Sequence, residues 1–320
     1  MAMADCNQEQ FYSDVLLGLT STPKYLDSKY FYDSIGDELF QQIMQSNEYY
    51  LSKCELDIFL NQTEDLCRLI TNDNSSFNLI ELGSGDASKS IHMLNYLTKQ
   101  NIDFNYVPID ISSNIISYLL KTLPLALPSL SVKGFNGEYF DMLKQVTNIF
   151  TQQRKVILFL GSNIGNMEND ELFCKTLHEH LSTGDIVIIG FDLQKNPKTI
   201  LDSYNHANGL SKKFVMNLFE RINRELNGNF DTTKFDYYPT YDPEMGLSKG
   251  YLISLVKQQV HIGQESKAIS FEENEYIYTG VSFKYTIHRI HELASKTNFK
   301  ILKDFYDSKR WFVNSVWMAE

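Results

Sequence analysis

The chain has 320 residues, enough for one large domain or two smaller ones. With 43% hydrophobic and 22% charged residues it has the balance of a folded globular protein, which excludes global disorder. Forty acidic side chains against 29 Lys plus Arg give a net charge of −11, which argues against nucleic acid and anionic membrane as partners, since both reward a basic face.

No run approaches the roughly 20 apolar residues that span a bilayer. The opening MAMADCNQEQ has neither the basic nor the apolar region of a secretory signal. Cys6, Cys54, Cys67 and Cys174 are scattered and form no CxxC, so neither a disulfide framework nor a zinc site is expected, and the expected compartment is cytoplasmic. His178-Glu179-His180 places two imidazoles at i, i+2, which share no helix face, and reads as surface.

In chain order, residues 1–60 precede an alternation of apolar runs and helical stretches. Residues 77–83 (FNLIELG) end in a glycine turn, followed by 105–111 (NYVPIDI), 129–134 (SLSVKG), 155–161 (KVILFLG) and 185–191 (DIVIIGF). Between them, 86–99, 112–122, 138–149 and 168–182 are predicted helices. Apolar strands alternating with helices predict a parallel sheet covered on both faces. Residues 194–283 break the rhythm and are too long for a loop, so they should carry structure of their own. They start near Asn196-Pro197 and include FDYYPTYDPEMG (235–246). A helix over 284–296 then leads to two strands, 298–307 and 311–319, joined as a hairpin by Ser308-Lys309.

Parallel strands closed by a hairpin resemble, at the level of fold, the α/β class I seven-stranded methyltransferases that use S-adenosylmethionine (SAM). The expected organisation is a methyltransferase domain over 61–193, to which 284–320 return. A second, substrate-binding lobe would come from the N-terminal segment 1–60 and the insert 194–283. Ligand pockets favour such lobe boundaries.

Four motifs carry the chemistry. Glu81-Leu82-Gly83-Ser84-Gly85 stands between the first strand and a helix, where glycines let a backbone turn tightly and approach a ligand. The dinucleotide pattern GxGxxG is not met, because Ser88 stands at its third glycine. An ExGxG form suits SAM, which has no phosphate to place on the helix N-terminus; a plain turn would use the same glycines. Asp110, 25 residues after Gly85, is placed to accept hydrogen bonds from both ribose hydroxyls of an adenosine, or to cap the next helix, as Ser112 or Ser113 also could. Gly137-Glu138-Tyr139 suits an acid that accepts from the adenine amino group with an aromatic beside the ring. Leu160-Gly161-Ser162-Asn163-Ile164-Gly165-Asn166 suits a polar loop around a substrate, or a plain turn.

Taken together, these strings are similar to the histidine Nα-methyltransferase family of ergothioneine biosynthesis, whose members trimethylate the amino group of an amino acid using SAM. The resemblance runs over nearly the whole chain. It includes Tyr30-Phe31-Tyr32-Asp33, Glu48-Tyr49-Tyr50, Val107-Pro108-Ile109-Asp110, Asp192-Leu193, Pro197, Tyr204, Asn223-Arg224-Glu225-Leu226 and Val281-Ser282-Phe283-Lys284. It implies that Tyr49, Gly83, Gly85, Lys89, Asp110, Glu138 and Tyr139 surround SAM, with Glu138 where the family usually has Asp. Asn166 and Tyr204 match the pair that holds the substrate carboxylate, and Gly161 belongs to the substrate loop. Tyr32 matches a tyrosine near the substrate amine, so Tyr32 and Asn166 are the expected catalytic residues. Ser282 matches a serine at the far end of the side-chain pocket. SAM is the expected cofactor, S-adenosylhomocysteine (SAH) its product, and no metal is expected.

One departure bears on the substrate. The resemblance implies a Glu two residues before Ser282 that grips the imidazole of histidine, and here that position is Gly280. A Met of the family pocket aligns with Gly250. A lost charge-assisted hydrogen bond is worth roughly 1.5–3 kcal/mol, and two missing side chains should enlarge the pocket. Both point to an aromatic substrate, tryptophan or tyrosine, ahead of histidine, unless Glu275, Tyr276 or Tyr278 refills the space.

The implied chemistry is methyl transfer, one to three times, to the amino group of a free amino acid. Positioning can supply roughly 7–11 kcal/mol of such a barrier. Tyr32, Tyr49 and Tyr50 are candidates to hold a methylated ammonium by cation–π contact. The expected partner is a small molecule, with no nucleic acid and no membrane, and the expected state is a monomer or weak dimer. Competing readings are a dinucleotide-dependent oxidoreductase, a methyltransferase of macromolecules and a non-catalytic SAM-binding protein.

Overall fold

The computed structural model describes residues 2–72, 75–150, 153–264 and 267–320, without the side chains of residues 2–7, so Cys6 falls outside the described side chains. The chain forms two compact units, Met1–Tyr49 with Asn196–Ser282 and Tyr50–Lys195 with Phe283–Glu320.

The first unit opens with α1 (Ala2–Thr20), β1 (Lys24–Tyr25) and α2 (Ser34–Gln45). The second contributes α3 (Tyr50–Ile70), β2 (Phe77–Leu82), α4 (Ile91–Lys99), β3 (Phe104–Asp110) and α5 (Ser113–Ala126). It continues through β4 (Ser131–Val132), β5 (Phe135–Asn136), α6 (Tyr139–Ile149), β6 (Arg154–Phe159), α7 (Asp170–Glu179) and β7 (Ile186–Asp192). The chain then returns to the first unit for α8 (Pro197–Asp202), α9 (Leu210–Leu226), β8 (Phe235–Asp242), β9 (Leu247–Ser254), β10 (Gln258–Ile262), β11 (Lys267–Phe271) and β12 (Tyr276–Phe283). It closes in the second with α10 (Ile287–Lys296), β13 (Phe299–Tyr306) and β14 (Phe312–Ala319).

In the second unit the sheet runs β13-β14-β7-β6-β2-β3-β4, with β5 also paired to β3. The pairs β7–β6, β6–β2, β2–β3 and β3–β4 are parallel, while β14 is antiparallel to both β7 and β13. Every residue of β2 and β7 is buried, as a strand covered on both faces requires. Around them Ile80, Val107, Ile157, Ile189 and Trp317 form one apolar core.

Local chemistry adjusts the expected boundaries. The helix predicted from residue 86 begins at Ile91, because Gly85 and Ala87, at φ +51° and +55°, hold the chain in turns before it. The strand predicted over 129–134 is two short pieces, β4 and β5. Between them Gly134 passes so close to α5 that a Cβ there would lie 2.8 Å from Ile116 Cγ2. The final hairpin closes through Asp307, whose carboxylate accepts the N–H groups of Lys309, Trp311 and Phe312. Residues 50–60 belong to α3 and group with the second unit.

In the first unit β1, β12, β9 and β8 form a four-stranded sheet and β10 pairs with β11. Helix α9 supplies Leu218, Phe219 and Ile222 to a core shared with Phe235, Phe271 and Ile277. Arg224 forms an ion pair with Asp33, and Arg221 donates to the Tyr30 carbonyl at 3.1 Å, so the 30–33 and 223–226 strings meet here. No helix among the described residues is long and apolar enough to cross a membrane.

Candidate active site

The Gly83–Gly85 turn leaves β2 with both glycines at positive φ, +71° and +51°. A Cβ on Gly83 would lie 2.8 Å from Asn163 Nδ2 and 2.9 Å from Tyr139 Oη, so three segments converge on that backbone. A Cβ on Gly85 would meet nothing within 4 Å, which leaves open space above the turn. Beside it, Asp110 Oδ2 accepts the Gly85 N–H at 3.0 Å and Oδ1 accepts the Ser112 N–H at 2.9 Å. Ser112, not Asp110, caps α5, accepting from the Ile115 N–H at 3.3 Å. Asp110 is half-buried, and burial raises its pKa while the Ser112, Gly85 and Ile111 N–H groups oppose the rise. Each oxygen keeps a lone pair for a diol.

Gly137 and Asn136 are tied to the same strand end. The Gly137 N–H reaches the Asp110 carbonyl at 3.0 Å, and Asn136 Nδ2 reaches the carbonyls of Asp110 and Ile111. This places Glu138, exposed at the start of α6, and Tyr139, edge-on to Phe159, next to the glycine turn. Gly83, Gly85, Asp110, Glu138 and Tyr139 are therefore brought together at the C-terminal ends of neighbouring strands. An open turn, a diol acceptor and an aromatic beside it fit an adenosine group such as that of SAM.

Lys89 is held by a residue the sequence analysis missed. Its ammonium forms an ion pair with Glu55 of α3, whose carboxylate is fully buried and also accepts the Gly161 N–H at 2.9 Å. The detectable signal was a carboxylate at position 55, on the face of α3 that buries Leu51, Cys54, Ile58 and Phe59. Glu81, under the glycine turn, takes a 2.5 Å hydrogen bond from Tyr106, and burial lifts its pKa to about 7.

The turn after β6, Asn163–Asn166, is a single 3-10 turn that Ser162 enters at φ +59°. Asn166 ends it exposed, and its amide makes no hydrogen bond among the described residues. Asn163 of the same turn touches Gly83, so the substrate-type loop abuts the glycine turn.

In the first unit Tyr32 and Tyr49 flank Phe40, at ring distances of 5.6 and 6.1 Å. Ser46 accepts the Tyr49 N–H at 3.2 Å and lies 2.8 Å from Nε2 of buried His206, whose Nδ1 lies 2.5 Å from Ser211. Burial lowers the His206 pKa. Tyr50, expected beside these tyrosines, is instead buried in the second unit. There its hydroxyl donates to Asp192 at 2.7 Å and its ring meets Trp311 edge-on.

Tyr204 lies near Tyr237, a second residue the sequence analysis left without a role; burial, then Tyr204, raise the Tyr237 pKa. The two glycines of the expected side-chain pocket face different neighbours. A Cβ on Gly250 would lie 2.8 Å from Thr279 Oγ1 and 3.5 Å from Tyr237, so that space is already filled. A Cβ on Gly280 would meet only Ser28, at 3.5 Å, though φ +140° disfavours any side chain there. Among the described residues neither Glu275, Tyr276 nor Tyr278 comes within 4 Å of that position. Ser282 is buried. Cys54, Cys67 and Cys174 are buried and form no disulfide, and no cluster suited to a metal ion occurs among the described residues.

Sheet order, closing hairpin and glycine-turn site define a class I SAM-dependent methyltransferase. Residues 11–319 match the histidine-specific, SAM-dependent methyltransferases, and the chain belongs to that family. A histidine N-alpha-methyltransferase of Mycolicibacterium smegmatis is 28% identical over 284 residues, covering 88% of this chain and 86% of the relative. One from Mycobacterium tuberculosis is 29% identical over 274 residues, covering 85% and 83%. A 4-dimethylallyltryptophan N-methyltransferase of Claviceps fusiformis is 23% identical over 302 residues, covering 87% and 83%.

Proposed function

We propose that the protein transfers methyl groups from SAM to the α-amino group of a free amino acid. The observation that carries this reading is the contact of the Asn163–Asn166 turn with the Gly83–Gly85 turn. It brings the half-buried Asn163 amide, three residues before Asn166, against the turn whose Gly85 is tied to Asp110, where the adenosine would be held. SAM, when bound, supplies a methyl group already activated on a positive sulfonium.

The chain's own residues then have to bind and aim. Asp110 accepts from the ribose, Glu138 from the adenine amino group, and Tyr139 lies against the ring. Asn166 donates to the substrate carboxylate. It is neutral, so it adds no second positive charge beside the sulfonium. Within the first unit Tyr32 and Tyr49 group around Phe40, the kind of aromatic cluster that can take a methylated ammonium by cation–π contact.

Two readings of the side chain differ in their support. Histidine comes first, because the family and the mycobacterial relatives carry that specificity in their names; this reverses the order expected from the sequence. An aromatic amino acid such as tryptophan or tyrosine comes second, favoured by Gly280, which has no carboxylate to grip an imidazole and only Ser28 nearby. Each amino acid incubated singly with SAM and followed by mass spectrometry separates them. Methylated histidine alone supports the first, methylated tryptophan or tyrosine without histidine supports the second, and no methylated amino acid rejects both.

A further inference from the structure

We infer that Glu55 is a positioning residue of the cofactor site, fixing Lys89 and the Gly161 turn in one geometry. The inference rests on the reading that Lys89 faces SAM and that the Gly161 turn opens the substrate loop beside it. Glu55 is fully buried, and its Oε2 alone takes both the Lys89 ammonium and the Gly161 N–H. Its other oxygen, Oε1, has no hydrogen-bond partner among the described residues. A carboxylate buried with one oxygen unfilled is costly, and a neutral side chain would serve packing better. What a neutral side chain cannot do is offset the charge of the lysine it holds.

The surroundings are shaped around this carboxylate. A Cβ on Gly190 of β7 would come within 2.4 Å of Glu55 Oε1, so the strand is bare where the carboxylate sits. The Lys89 side chain keeps 20% of its surface while the Glu55 side chain keeps none, so the pair points its cationic end outward. An ammonium has three donors, and one is spent on Glu55. The anionic group of SAM is its carboxylate, which is the partner for the others. Glu55 also offsets the charge of Lys89, which would otherwise repel the sulfonium.

Glu55→Gln tests this, since it keeps the volume and an acceptor for the Gly161 N–H but removes the charge. Calorimetry should give SAH binding about tenfold weaker, with the KM for the amino acid and the thermal midpoint close to wild type. Lys89→Met should weaken SAH binding at least as much, and Glu55→Gln combined with Lys89→Met should be no weaker than Lys89→Met alone. If Glu55→Gln does not fold, Glu55→Asp, which draws the charge back by one methylene, should weaken SAH binding in the same direction. Wild-type SAH affinity in the Glu55 variant, or additive losses in the double variant, overturns the positioning role. Wild-type affinity in Lys89→Met overturns the site reading itself, and the proposal falls with it.

Discussion

The two units commit their candidate residues in opposite ways. In the second, main chain does most of the work. Gly83 and Gly85 turn where a side chain would be strained, and Asp110 grips the turn through an N–H. In the first, side chains do it: Tyr32 and Tyr49 around Phe40, and Tyr204 with Tyr237. Main-chain handling leaves a spaced glycine pattern in the sequence, because only glycine adopts those angles cheaply. Side-chain handling draws residues from distant segments and leaves no spacing to read.

Four substitutions sharpen or break that contrast, from the largest effect to the smallest. Asp110→Ala removes the diol acceptor and the anchor of Gly85 together, and SAH affinity measured by calorimetry should fall about 100-fold, the size of two hydrogen bonds to a charged group. Gly83→Ala places a Cβ 2.8 Å from Asn163 at positive φ, and SAH affinity should fall by roughly 10-fold or more through strain. A wild-type value for either would show that the turn is not the cofactor cradle. Asn166→Ala should raise the KM for the amino acid about 10-fold while SAH affinity holds; an equal loss of SAH would move Asn166 to the cofactor side.

The fourth concerns stability alone. Glu81 has a folded-state pKa of about 7 against an ordinary value of 4.5, so the folded protein holds a proton there that the unfolded chain gives up. The stability this contributes is full below 4.5 and is lost as pH rises to about 7. Glu81→Gln should flatten that slope and raise the thermal midpoint at pH 8. An unchanged pH profile would mean that Glu81 is ionised throughout.

How much was legible follows the same division. Alternating apolar runs gave the parallel sheet, and the last two gave the hairpin, because a strand buried on both faces has a composition that loops do not share. The ExGxG turn and Asp110 were legible from spacing. Glu55 was not singled out, since it is one acid in a helix with several others, and only its place on the buried face sets it apart. Tyr237 sat in a run already noted as aromatic, but its nearness to Tyr204 depends on how the insert folds. Gly250 read as missing volume, yet Thr279 and Tyr237 occupy the space, which no spacing could reveal.

The central claim is that the methyl group goes to the α-nitrogen of a free amino acid. Tandem mass spectrometry of the product made from SAM and the preferred amino acid tests it directly. The account predicts every transferred methyl on the α-nitrogen and none when that nitrogen is acetylated. A methyl on the side-chain ring or the carboxylate, or turnover of the acetylated amino acid, would contradict it.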